Sequence, residues 1–263
     1  MRARALAPWL LFAAGCAAAL REPAPLAPTA PDRPGAAALL AEAEAAFARR
    51  PDAAEVRRAE RLWSEAAAAD GAGIEGLVGA VRAKAWLVEH SGDAAERLAL
   101  AQGAVEAGQW CGRRAPASPA CEYWLAVALG FQARERPATA QQGLGLMVAS
   151  LRRAAAADPR LDRAGPERVL ALVLLRAPGW PLGPGDPEAA LAQARAAAAL
   201  APDHPPNLSA LGEALLANDR PEEGRAALER ALALAQARAA AGDPDAPDWI
   251  REARRLESAA GIR

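Results

Sequence analysis

The sequence predicts an all-α protein made of antiparallel helical hairpins that stack in a row, which is an α-solenoid. Alanine, the strongest helix former, supplies 77 of the 263 residues, whereas the chain has only one Tyr and three Phe. Apolar residues recur three and four positions apart in successive segments, and short breaks rich in Pro, Gly and Asp separate these segments. The formal net charge of −1 provides no global basic field for nucleic acid.

Residues 1–16 are expected to be a targeting segment. Arg2 and Arg4 precede an apolar run over residues 6–14, which is too short to span a bilayer as a helix. The sequence Ala-Ala-Gly-Cys at residues 13–16 resembles the bacterial lipobox. This resemblance implies that Cys16 is lipidated and becomes the first residue of the mature chain. An ordinary signal peptide with an incidental cysteine is the alternative.

Residues 17–35 are expected to form a flexible tether ahead of a helical domain over residues 36–263. Five prolines in this segment prevent a helix and favour an extended chain. Such a spacer would hold the domain away from the membrane. The lipoprotein resemblance also implies export to the periplasmic face, and Ala17 after the cysteine favours the outer membrane over the inner one.

Residues 205–236 carry the clearest repeat, with two amphipathic stripes separated by a break at Asn218–Pro221. Leu211 and Gly212 match the central large–small pair of a tetratricopeptide (TPR) repeat. The small, large and small positions of its second helix are matched by Gly224, Leu228 and Ala231. The segment therefore resembles a TPR repeat, which implies a TPR-like solenoid of four to five degenerate hairpins.

The other hairpins follow the same pattern in chain order. The predicted helix pairs cover residues 36–49 and 54–69, 74–90 and 94–107, 122–132 and 141–157, and 165–176 and 186–200. Five residues before the end of four second helices stand Ala66, Ala154, Ala197 and Ala231, and eight residues before stand Trp63, Leu151, Ala194 and Leu228. A last helix over residues 249–260 is expected to cap the open end of the solenoid.

Cys111 and Cys121 flank a segment, residues 108–120, that is predicted to be irregular. In an oxidising compartment these residues are expected to form a disulfide, and two unpaired thiols are the alternative. A metal site is not expected, because the chain has no CxxC motif and its only histidines, His90 and His204, lie far away in sequence.

Enzymatic signatures are missing from the sequence. It contains no GxSxG, HExxH, P-loop or dinucleotide-binding glycine motif, so neither catalysis nor a cofactor is predicted. Asp243, Asp245 and Asp248 are interpreted as turn and cap residues, since interleaved prolines and the missing loop glycine do not fit a calcium loop.

Four residues are candidates for contact with a ligand or partner. Trp180 and Trp110 are predicted to lie in irregular segments, where a large aromatic side chain lines a recess or pins a loop. Arg168 and Arg176, eight residues apart on one helix side, would suit an anion, and the alternative is solvated or carboxylate-paired arginines. Trp63 and Trp124 are interpreted as core residues. Trp86 and Trp249 fit a core position or an exposed one, and the core position is favoured.

Residues 158–235 have a second, looser resemblance. The series Asp-Pro at 158, Gly-Pro-Glu at 165, Pro-Gly-Trp-Pro at 178 and Asp-Pro-Glu at 186 is similar to the T-component of TRAP transporters. The resemblance implies a periplasmic lipoprotein that associates with a substrate-binding protein and forms oligomers. Two hypotheses remain open, namely a protein-binding scaffold or adaptor in an envelope complex, and a TRAP-associated component that binds a small organic anion or the substrate-binding protein.

Overall fold

The computed structural model describes residues 18–26, 35–71 and 73–261, and Cys16 therefore lies outside the described residues. The described part contains helices and turns but no β-strand. The helices are α1 (Ala36–Phe47), α2 (Ala53–Ala69), α3 (Glu75–His90), α4 (Ala94–Arg114), α5 (Pro119–Glu135), α6 (Ala140–Ala157), α7 (Gly165–Arg176), α8 (Pro187–Leu200), α9 (Pro205–Leu216), α10 (Pro221–Ala240) and α11 (Ala246–Ala259), with a 3₁₀ turn at Pro137–Thr139.

Consecutive helices pair into five antiparallel hairpins, from α1/α2 to α9/α10, and α11 packs on α10 and α9 at the carboxyl end. The odd-numbered helices also contact one another from α1 through α11, so they form an inner layer, and the even-numbered helices form an outer layer. This arrangement confirms the predicted TPR-like solenoid with its last helix at the end. None of the described helices has the length and apolarity needed to cross a bilayer.

Short polar residues and prolines set the helix starts. The side chains of Asp52, Asp93, Ser118 and Asp186 accept hydrogen bonds from amides in the first turns of α2, α4, α5 and α8. Proline occupies the first turn of α5 and of α7 to α11, where its missing amide costs no helical hydrogen bond.

The residues at the two aligned positions of the repeats are buried in the hairpins. The exposed fraction is 2% or less at both aligned positions in all four repeats, which are Ala66, Ala154, Ala197 and Ala231, and Trp63, Leu151, Ala194 and Leu228. In the last hairpin a Cβ on Gly212 would lie 2.7 Å from Leu228 and 3.1 Å from the Gly224 carbonyl oxygen. Small residues therefore let α9 and α10 cross closely, as the repeat pattern predicts.

The connection between α4 and α5 corrects one prediction. Residues 108–120 are mostly helical, because α4 continues to Arg114 and α5 begins at Pro119. Gly108 does not break α4. A Cβ there would lie 3.0 Å from the Leu125 Cα, so the glycine allows α4 and α5 to approach closely. The sulfurs of Cys111 and Cys121 lie 2.01 Å apart, at disulfide distance, across this corner.

Residues 18–26, which we call the N-terminal strap, lie on the domain and do not extend away from it as a tether would. The Ala19 amide donates to Gln142 Oε1 at 2.7 Å, and Ala19 is 1% exposed. The remainder of the predicted tether includes residues 27–34, which lie outside the described residues. Leu20 and Leu26 of the strap are partly buried against the main apolar core, which removes apolar surface from water.

Candidate functional site

The inner helices line a concave groove of about 1400 Å³. Its walls come from α3, α5, α7, α9 and α11, from Phe47 and Arg50 at the end of α1 and in the turn after it, and from the turns that precede α7, α9 and α11. None of the outer helices contributes a lining residue within the described part of the chain. A groove on the concave side is the feature that stacked hairpins produce when each is rotated slightly against the next.

Half-buried apolar side chains form the floor of this groove. Trp124, Val127 and Phe131 follow one another at i, i+3 and i+7 along α5, and Val169 and Leu172 continue the surface on α7. We call these five residues the apolar floor. This spacing puts them on one face of each helix, which faces the groove. The floor is thus an apolar surface of neighbouring side chains that remain partly open to solvent.

Charged side chains surround the apolar floor, and most of the arginines among them are already paired. Arg176 donates two hydrogen bonds to Glu213, at 2.9 and 2.6 Å, and a third to Glu252 at 3.1 Å. The bonds to Glu213 are the main reason that the pKa of Arg176 is raised. Arg255 pairs with the same Glu252 at 2.7 Å, and this pairing is the main cause of the lowered pKa of that carboxyl. A ligand at Arg176 would have to compete with two carboxylates.

A partly buried polar network lies in the middle of the groove. Asp162 Oδ2 accepts a hydrogen bond from the Tyr123 hydroxyl at 2.6 Å and another from Arg168 at 2.9 Å. Arg168 also donates to Asn207 Oδ1 at 2.9 Å, and the Asn207 amide donates to the Arg163 carbonyl oxygen at 3.0 Å. The network supports a turn whose non-glycine residues 162–164 have φ of 47°, 54° and 62°. These bonds offset the cost of left-handed backbone there.

His204 lies beside this network under a positive potential. Its ring is 7% exposed, packs edge-on against Trp249, and leaves Nδ1 without a hydrogen-bond partner. Burial, together with the smaller effect of the charges of Arg168, Arg163 and Arg238, lowers the pKa of His204 from 6.5 to about 3. The imidazole is therefore neutral near pH 7. The field of these arginines would favour an anion at this end of the groove.

Two polar bridges cross the groove and join its distant walls. Arg50, in the turn after α1, donates to both carboxylate oxygens of Asp245, at 2.8 and 3.0 Å. His90 Nε2 lies 3.0 Å from Asp248 Oδ2, and its ring stacks on Trp86 at 3.7 Å. The turn before α11 is thereby tied to the first hairpin, and the first turn of α11 is tied to α3. Access to the groove is consequently restricted on this side.

The structure brings together two of the four sequence-predicted contact residues. Arg168 and Arg176 both line the groove. Trp180 does not line it and is 90% exposed on the loop between α7 and α8. Trp110 lies on α4, not in an irregular segment, and its Nε1 donates to the Ala24 carbonyl oxygen of the strap at 2.8 Å.

The remaining tryptophans divide between core and groove. Trp63 is buried at 1% exposure, as predicted. The core interpretation of Trp124 was wrong, because that side chain is only half-buried and lines the groove, as do Trp86 and Trp249. Sequence reasoning also missed Phe131. A signal for it was present, since it continues the i, i+3, i+7 stripe that Trp124 begins on α5.

The contacts of the three aspartates near α11 fit the predicted turn and cap role only at Asp243. Asp243 accepts the Asp245 amide at 3.0 Å, as a turn residue does, while Asp245 and Asp248 pair with Arg50 and His90. No group of three or more potential metal ligands occurs among the described residues. The described part of the groove is thus an apolar floor with paired charges around it, which suits binding by shape and hydrogen bonds.

No family model matches the chain, and no curated protein matches it in sequence. Among solved structures it is similar to TTC0263, a thermophilic TPR protein of Thermus thermophilus, with 22% identity and a TM-score of 0.60 over 83% of this chain and 98% of that one. This similarity supports the TPR-like fold. Two structures of the MamA protein match at 16% and 18% identity with TM-scores of 0.47 and 0.46, over 78% and 71% of this chain and 93% and 92% of those chains, and are too distant to extend the argument.

Proposed function

We propose that this chain is a non-enzymatic, lipid-anchored envelope protein whose groove binds a segment of a protein partner. The apolar floor carries the proposal. It offers half-buried aromatic and aliphatic side chains on two adjacent inner helices, with charged side chains around them. TPR-like solenoids bind other proteins through such concave surfaces, which supports a role as a scaffold or adaptor.

The chemistry of the groove indicates what a partner segment should contain. The apolar floor would bury apolar side chains spaced along a helix or an extended peptide, because aromatic anchors in a desolvated pocket provide most of the binding energy at interfaces. The surrounding carboxylates and arginines would hydrogen-bond to polar groups at the edges of that segment. Since the charges are of both signs, a partner segment of mixed charge fits better than a purely basic or acidic one.

Sequence features support the envelope location. Residues 1–16 have the composition of an export signal and end at the lipobox-like Cys16. Cys111 and Cys121, with sulfurs at disulfide distance, suit an oxidising compartment. We therefore propose anchoring at the periplasmic face of a membrane, with the outer membrane preferred because of Ala17.

The proposal is tested by a photo-crosslinking amino acid placed in the groove of the full-length protein in its own cells. The groove position is Val127, and the matched control is the exposed Gly145 on α6, where an added Cβ would point into open space. We expect crosslinks to one partner from Val127 and none to that partner from Gly145. Adding Leu172→Arg, which puts a charge on the apolar floor, should abolish them.

Three outcomes would count against the groove as the binding surface. One is a partner captured equally from Val127 and Gly145. Another is a Val127 crosslink that persists at full yield with Leu172→Arg in place, provided that circular dichroism shows the variant to be folded. The third is that only copies of this chain are captured, which would assign the groove to self-association. Each outcome is read by mass spectrometry of the crosslinked peptide.

The second candidate is a TRAP-associated component that binds a small organic anion or the substrate-binding protein. The observation in its favour is the positive potential at His204, where three arginines lower the pKa of a buried imidazole. Calorimetric titration with small mono- and dicarboxylates tests it. Arg163→Gln should abolish binding, and Arg225→Gln on the outer helix α10 is the control. If titration with these carboxylates up to millimolar concentration produces no heat of binding, the hypothesis that the groove binds a small organic anion is excluded.

A further inference from the structure

The N-terminal strap is held on the outer helices by hydrogen bonds along its length. Besides the Ala19 bond to Gln142 on α6, Gln109 Nε2 donates to the Arg21 carbonyl oxygen at 2.7 Å. Trp110 Nε1 donates to the Ala24 carbonyl oxygen at 2.8 Å. The strap backbone is thus bound by three side chains from two adjacent outer helices, α4 and α6.

Packing adds to these bonds. Pro23 is buried, and Leu20 and Leu26 are half-buried against the main apolar core. Glu22 pairs with Arg113 of α4 at 2.7 Å. Ordering a segment of nine residues costs conformational entropy that a single contact would not offset. Here several contacts act together on a segment that is already part of the chain, and they hold it in place.

The strap and the groove are on opposite layers of the molecule. The hydrogen bonds and the ion pair of the strap are all to α4 and α6, which are outer helices, and neither helix contributes a residue to the groove. The surface that carries the strap, on α4 and α6, therefore faces away from the groove.

The order of segments along the chain limits how far the strap can lie from Cys16. Ala18 is two residues after Cys16, and two residues of extended chain span at most about 7 Å. The remaining proline-rich residues, 27–34, come after the strap and before α1. Because of this position in the chain, they cannot add distance between Cys16 and the docking site of the strap.

We propose that the strap fixes the orientation of the solenoid on the membrane, with the outer face of α4 and α6 against the lipid surface and the groove directed away from it. The proposal rests on lipid anchoring at Cys16, which is part of the proposed function. With the anchor this close to α6, the domain lies on the bilayer surface. A partner can then reach the groove from the aqueous side without displacing lipid.

The test uses the full-length lipidated protein in vesicles of phosphatidylethanolamine and phosphatidylglycerol that contain a headgroup-attached quencher. A fluorescent amino acid is placed either at Gly145, on the exposed side of α6, or at Arg251, on the exposed rim of the groove. We expect strong quenching at Gly145 and several-fold weaker quenching at Arg251. Membrane binding is measured separately, by co-sedimentation of the protein with the vesicles.

Two matched insertions show whether the strap sets this orientation. A Gly/Ser insertion of about ten residues has a root-mean-square span of about 17 Å. Placed after Ala17, it separates the anchor from the strap, and quenching at Gly145 should fall several-fold. Placed after Ala30, it lies beyond the strap, and quenching should stay unchanged.

The outcomes separate this inference from the anchoring that it needs. A lipidated, vesicle-bound protein with equal quenching at Gly145 and Arg251 would overturn the orientation alone. So would equal losses of quenching from the two insertions. A chain that carries no lipid and does not sediment with vesicles would overturn the anchoring and this inference with it, but would leave the groove proposal intact. Hydrogen exchange at the Ala19 amide checks docking directly, and rapid exchange there would also refute the role of the strap.

Discussion

Arg50 donates two hydrogen bonds to the carboxylate of Asp245, which lies 195 residues later in the chain. The guanidinium is only 10% exposed and also sits 3.7 Å from the centre of the Phe47 ring. A solenoid is normally held only by contacts between neighbouring repeats. Here a long-range ion pair joins the first hairpin to the turn before the last helix, so the two ends of the groove constrain each other.

Removing this bridge should destabilise the protein measurably. We expect Arg50→Met to lower the free energy of unfolding by about 1.5–3 kcal/mol, because the hydrogen bonds of a charged, mostly buried group are lost together with its cation–π contact with Phe47. The measurement is urea denaturation followed by circular dichroism. The neighbouring Arg49→Met is the control. Arg49 is 61% exposed and pairs with Glu55, so its loss should cost less than about 1 kcal/mol. Equal costs for the two variants would mean that the bridge contributes no more than a surface pair.

The contact between Gly79 and Trp63 gives a prediction about packing between hairpins. A Cβ on Gly79 of α3 would overlap the Trp63 ring of α2. Alanine favours helix over glycine by about 1 kcal/mol, yet overpacking a core typically costs about 1–3 kcal/mol. We therefore expect Gly79→Ala to be destabilising in thermal unfolding, whereas Gly145→Ala, where a Cβ meets nothing within 4 Å, should be stabilising. A stabilising Gly79→Ala would show that the α2–α3 interface adapts easily.

Much of this fold could be predicted from the sequence, because local patterns determine hairpins. The two amphipathic stripes predicted within residues 205–236, on either side of the break at Asn218–Pro221, correspond to α9 (Pro205–Leu216) and α10 (Pro221–Ala240). The error at residues 108–120 arose because a glycine inside a helix resembles a break. Gly108 instead leaves room for Leu125 of α5, which a larger side chain at this position would crowd. A packing requirement of this kind is invisible until the partner helix is placed.

The groove could be predicted only in part. Arg168 and Arg176 were identified because one helix displays both. The apolar floor, by contrast, depends on which face of α5 points inward, and that follows from the rotation between successive hairpins. Trp180 was singled out by its unusual loop, but a Pro- and Gly-rich sequence does not say on which side of the solenoid the loop projects. The strap was missed because prolines exclude a helix without excluding docking.

The cysteine pair predicts a response to reductant. Closing a loop of about ten residues stabilises by roughly 2.7 kcal/mol in the chain-entropy model, and Cys111 and Cys121 are 1% and 2% exposed. Urea unfolding of the wild type with a strong reductant should show a loss of this size. The double variant Cys111→Ala/Cys121→Ala should have the stability of the reduced wild type, and adding reductant should not change it. A wild type that is insensitive to reductant would show that the thiols are free.

The buried His204 predicts that stability falls as the solution becomes mildly acidic. Its pKa in the folded protein is lowered to about 3 by burial and by Arg168, Arg163 and Arg238, whereas the unfolded chain titrates near 6.5. Between these values the unfolded state binds a proton that the folded state does not, so stability is complete above pH 6.5 and is lost as the pH falls below it. From pH 7 to pH 5 the loss from this residue should be about 2 kcal/mol.

The comparison with His204→Asn isolates this effect. Asn cannot titrate in this range, and it is a favourable residue at the start of α9, where His204 stands. The other histidine, His90, is present in both proteins, so its pairing with Asp248 cancels in the difference. We therefore expect the stability of the variant relative to the wild type to rise by about 2 kcal/mol between pH 7 and pH 5. A difference that stays constant with pH would mean that His204 titrates in the folded protein as it does in the unfolded chain, and the lowered pKa inferred for it would be wrong.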